Sequence, residues 1–136
     1  MTKTGKEIQG DVLELLKSGS LASAINGGVY RSGYRPRDSR LEDAVVIFTA
    51  GLADQIQTGV ITVNVYFPDI ELNGVWVEDG VRGQQLERAA QDWVNSLTCG
   101  VSNYRFGLQA SITTEPAQEI QQHFVVIMLR YRYFDE

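Results

Sequence analysis

Few side chains in this sequence could carry covalent or metal chemistry. The 136 residues hold one histidine, His123, and one cysteine, Cys99. A Ser or Cys nucleophile needs a base within hydrogen-bond reach. His123 stands beside Gln121 and Gln122 at the predicted start of a strand, where it reads as a strand-end polar residue. Cys99 follows a predicted helix and reads as a small apolar filler, with no adjacent cation to lower its pKa. A single cysteine also excludes an intramolecular disulfide and any multi-cysteine metal site. Acidic pairs remain. Asp69 and Glu71 stand two apart and Glu78 adjoins Asp79. Paired carboxylates can hydrolyse glycosides or hold a hard cation. Neither spacing is specific, and Asp79 has the simpler task of capping the helix after it. The phosphate-loop, dinucleotide, zinc-protease and serine-hydrolase motifs do not occur. No catalytic residue, metal ligand or cofactor is predicted, and the chain does not read as an enzyme.

The remaining chemistry is that of contact. Residues 31–40 carry Arg31, Arg35, Arg37 and Arg40 against Asp38 alone. Residues 41–81 carry Glu42, Asp43, Asp54, Asp69, Glu71, Glu78 and Asp79 with no Lys or Arg. Such asymmetry serves either two solvated surfaces or a head-to-tail contact between copies. Arg and Tyr are enriched at interface cores, and Tyr34 lies within the basic segment. Trp76 sits in a predicted acidic loop, where a neighbouring subunit would cover it. The predicted contact residues are Arg31, Tyr34, Arg35, Arg37 and Arg40 on one side. Asp69, Glu71, Trp76 and Glu78 form the other.

The elements that must position them follow from periodicity. Thr4-Gly5-Lys6-Glu7 fits a capping box. Ile8, Val12, Leu15 and Leu16 then repeat at helical period up to Ser18-Gly19. Leu21–Ile25 is a short apolar piece ending at Asn26-Gly27-Gly28. Strands are predicted at 29–31, 44–50 and 60–67. The last alternates, with Ile61, Val63, Val65 and Phe67 on one face. Residues 68–80 read as a loop. A second helix over 81–97 has the stripe Leu86, Ala89, Ala90, Trp93, Val94 and Leu97, with Arg88 and Asp92 paired outside. Strands follow at 104–112 and 123–134, joined by a ten-residue connection containing Pro116.

This order, α-β-β-β-α-β-β, excludes a repeated βαβ pattern. Short connections favour antiparallel pairing. The prediction is one α+β domain over 1–136: two layers, a mainly antiparallel sheet, two helices on one face and a polar outer face. Hydrophobic residues make up 43% and charged residues 21%, which places the chain in the globular class. No apolar run approaches the roughly 20 residues a membrane helix needs. The N-terminal residues show no apolar secretory core, so no signal peptide and no membrane partner are predicted. The net charge of −5 argues against a dedicated nucleic-acid binder.

The run Val29 to Ile47, VYRSGYRPRDSRLEDAVVI, resembles small phage and prophage proteins of the tail-completion or tail-terminator type. The element order, over nearly the whole chain, is similar too. The resemblance implies a virion component, made in the bacterial host cytoplasm. It would form a ring, commonly a hexamer, that caps the tail tube and helps join it to the head. The partners so implied are further copies of the chain, tail-tube proteins and head-connector proteins. DNA would pass without specific binding, which an acidic wall favours. A different class of reading is a small α+β ligand-binding or enzymatic domain with a pocket between helices and sheet.

Overall fold

The computed structural model describes residues 2–134. Thr4 opens helix α1 (Gly5–Lys17) as the capping box requires: the Glu7 N–H donates to Thr4 Oγ1 and the Thr4 N–H to Glu7 Oε1. Ile8, Val12, Leu13 and Leu16 form its buried face. A short helix, α2 (Ser20–Ala24), buries Leu21. Helix α3 (Gly80–Leu97) is capped by Asp79, whose carboxylate accepts from the Arg82 N–H. It buries Gly83, Leu86, Ala90, Trp93, Val94 and Leu97. Arg88 and Asp92 pair on its outer side at 3.3 Å.

The sheet runs β1 (Val29–Arg31), β2 (Ala44–Leu52), β3 (Ile56–Pro68), β8 (Gln122–Phe134), with β6 (Tyr104–Leu108) and β7 (Thr113–Ala117) sharing the far edge of β8. The register pairs Ile61 with Leu129, Val63 with Ile127 and Val65 with Val125. Those residues form one face, and with Trp93, Leu86, Leu16 and Ile8 they make a continuous core. The result is a two-layer α+β domain, mainly antiparallel, with the helices on one face.

Five details depart from the sequence reading. β1 pairs β2 in parallel, because the segment 32–43 is long enough for the crossover a parallel pair needs. Residues 68–80 hold a hairpin, β4 (Ile70–Leu72) and β5 (Val75–Val77), in a sheet of their own. Asn73 and Gly74, at φ 53° and 80°, give the two left-handed positions of a tight hairpin turn. The strand predicted to reach Ile112 stops at Leu108, and the expected connection contains β7, with Pro116 tolerated at an edge. Both pair with β8 around a step at 109–112, where the Gln109 N–H still reaches the Met128 carbonyl. Cys99 is exposed rather than filling the core, since the apolar stripe ends at Leu97 and the chain turns away at Gly100. Finally, the uncovered sheet face is mixed rather than polar. Ile47, Val60, Val126 and Met128 lie half-buried there beside Thr62 and Asn64.

Candidate functional site

The polar residues singled out in the sequence gather at one end of the domain, around the start of β8 and the base of the β4–β5 hairpin. His123 lies opposite Phe67, on the inward face of β8. Its Nδ1–H donates to Asp69 Oδ1 at 2.6 Å, and its Nε2 stands 3.4 Å from Glu78 Oε1. Asp69 immediately precedes β4, and Glu78 immediately follows β5. The imidazole therefore holds the first leg of the hairpin, with the Glu78 carboxylate of the second leg close to its other side. The Asp69 N–H adds a bond to the Gln121 carbonyl. The carboxylates approach opposite ring nitrogens, so they do not converge on a common ion. No group of three or more His, Cys, Asp or Glu side chains suited to a metal occurs among the described residues. Cys99 lies beyond the far end of α3, whose 18 residues span about 27 Å. His123 and Cys99 are thus not assembled as base and nucleophile.

The basic segment is largely committed within the chain. Arg35 pairs with Asp43 at 2.8 Å, donates to Gln122 Oε1, Ser39 O and Leu41 O, and stacks over the Tyr66 ring. Its side chain is 12% exposed and that of Asp43 1%. Burial alone raises the Asp43 pKa, but hydrogen bonds from Ser39, the Gly28 N–H and Arg35 hold it below the usual carboxylate value. Arg40 donates to the Ile120 and Gln121 carbonyls and lies over the Trp76 ring. Arg31 donates to Lys6 O and Gln9 Oε1. Tyr34 and Arg37 are exposed, and Arg37 has no ion pair among the described residues.

The basic segment and the acidic hairpin therefore meet inside one subunit, at Arg40 and Trp76. Sequence reasoning set them on two sides of a contact. It also missed His123 as the residue that joins them to the sheet. The available signal was parity: His123 shares its face with Val125, Ile127 and Leu129, and an inward histidine requires a partner.

The hairpin is the conspicuous surface. Cross-strand pairing puts Ile70, Leu72, Val75 and Val77 on one face, with Glu71 and Trp76 on the other. Ile70, Leu72 and Val75 are 42%, 55% and 60% exposed. A second feature lies along α3, where an open groove of about 1110 Å³ runs beside the step in the sheet edge. Val81, Leu108 and Ile112 line it with Gln84, Gln91 and Ala110. Between helices and sheet, by contrast, Phe67, Trp93, Leu16 and Leu86 are fully buried. No protein-family model matches the chain, and no curated protein matches its sequence.

Proposed function

We propose that the chain is a structural phage or prophage tail protein of the completion or terminator type. It assembles into a ring at the tail end and helps join tail to head, acting through contact rather than catalysis. The observation that carries this reading is the β4–β5 hairpin. Two-stranded ribbons are marginal in water by themselves. This one is anchored at its base and presents three large aliphatic side chains to solvent. Such a surface serves a partner. A second copy is the economical one, because a heterologous contact repeated by rotation closes a ring. Among the predicted contact residues, Tyr34, Arg37, Arg40, Glu71, Trp76 and Glu78 remain on the surface, while Arg35 serves the fold.

Tail tubes purified from the same genetic element provide the test. The protein co-sediments with them at a fixed number of copies per tube end. Protein left wholly in the supernatant contradicts the proposal.

A further inference from the structure

We propose that the uncovered face of the sheet, at its β6–β8 end, binds single-stranded nucleic acid without sequence preference; this inference stands apart from the tail reading. Three arginines carry it. The register sets Arg105 directly opposite Arg132, and Arg130 opposite Gly107. Tyr104, Phe106, Leu129 and Tyr131 point into the core, so the arginines that alternate with them point outward. All three are exposed, and none has an ion pair among the described residues. Like charges directly across a strand pair are destabilising, so the fold carries a cost here that a bound anion relieves.

The strands around them leave this charge uncompensated. β2, β3, β6 and β8 contain no Asp or Glu. Thr58 and Val60 flank Arg132 and Arg130 on the β3 side. Glu115 of β7 lies opposite Phe124, toward the other end of the face. Asp54, in the turn between β2 and β3, forms no ion pair with the three arginines. A chain of net charge −5 therefore presents a locally basic surface. The overall charge lowers affinity for any polyanion, so the contact is weak and salt-sensitive.

Neighbouring side chains select among polyanions. Arg105 and Arg132 each lie over the Phe134 ring, 5.7 and 5.5 Å from its centroid. A guanidinium placed there takes phosphate oxygens while the aromatic surface beside it takes a base. Arg130 lies across Gly107, where an added Cβ would stand 3.4 Å from its Nη2. Half-buried Met128, Val126 and Phe124 continue the row along β8. From Phe124 to Phe134 the row runs about 33 Å, room for several nucleotides, within the roughly 4–16 that one such surface holds. A duplex keeps its bases stacked inside and would use the arginines alone. An acidic peptide satisfies the charges but not the rings.

The test titrates the full chain, with Asp135 and Glu136 in place, into fluorescein-labelled oligothymidylate about 12 nucleotides long. Anisotropy is followed across salt concentrations. Three phosphate contacts predict a slope of about −2 in log K against log salt. Arg130→Gln and Arg132→Gln should each take about 0.7 from that slope, whereas Arg88→Gln on α3 leaves it unchanged. Phe134→Leu keeps apolar bulk and should weaken binding about fivefold or more. Melting temperatures at the parent value show that the variants are folded. No binding at low salt, a slope insensitive to both arginine variants, or equal affinity for polyglutamate or for the matching duplex overturns the proposal. None of these results bears on tail assembly.

Discussion

Asp69 and His123 meet at 2.6 Å although they are 54 residues apart in sequence. The bond ties the first leg of a protruding hairpin to the sheet, and Glu78 at the second leg stands 3.4 Å from the same ring. A ribbon with no other sheet neighbour is thereby held as a fixed arm.

His123→Ala should free that arm. The loss of a hydrogen bond to a charged, nearly buried carboxylate costs about 1.5–3 kcal/mol. Hydrogen exchange should rise across Ile70–Val77 and stay unchanged in the β3–β8 ladder below Phe67. Equal exchange in the hairpin before and after substitution contradicts the anchoring role.

Arg35 and Arg37 should separate sharply. Arg35→Ala strips the guanidinium from a buried carboxylate and is expected to cost about 3 kcal/mol. That is the low end for a broken buried pair, because Ser39 and the Gly28 N–H still serve Asp43. Arg37→Ala should fall within about 0.5 kcal/mol of the parent. Urea denaturation of both variants measures the difference. Equal effects contradict the assignment of Arg35 to the fold.

Acid should reveal Asp43. Its folded pKa is lowered, so the stability it supplies is fully present above the unfolded carboxylate value of about 3.9. That contribution is lost as pH falls through the lower, folded value. Denaturation midpoints should therefore drop as pH falls below the unfolded carboxylate value. Asp43→Asn should flatten that part of the profile, and an unchanged slope contradicts the linkage.

Gly59→Ala tests the close approach at the β2 bulge. An added Cβ would sit 2.1 Å from the Ala50 carbonyl oxygen and 2.7 Å from the Tyr131 hydroxyl. Backbone cannot yield as a flexible side chain does, so the expected loss is about 1–3 kcal/mol. Thermal denaturation reads it directly.

What the sequence disclosed was local or periodic. Thr4 and Glu7 cap α1, Asp79 caps α3, and the alternation from Ile61 to Phe67 sets the inward face of β3, all as the spacing predicts. What it hid depends on partners remote in the chain. The Arg35–Gln122 bond spans 87 positions and Arg40–Ile120 spans 80, and no local pattern indicates either. The break after Leu108 is set by β8, which offers one edge to two strands. Asn73-Gly74 did carry a hairpin signal between the apolar pairs around it. Of the residues singled out, Tyr34, Arg37, Arg40, Glu71, Trp76 and Glu78 do lie on the surface, but Arg35 and Asp69 are nearly buried, and the grouping of the set was not legible. Charge alone separates Arg40 from Trp76, and the fold stacks them.

Electron microscopy of tail-tube ends mixed with the purified protein tests the central claim most directly. The account predicts a closed ring capping one end of each tube, lost or sharply reduced with Leu72→Asp. Bare tube ends with the protein monomeric throughout contradict it.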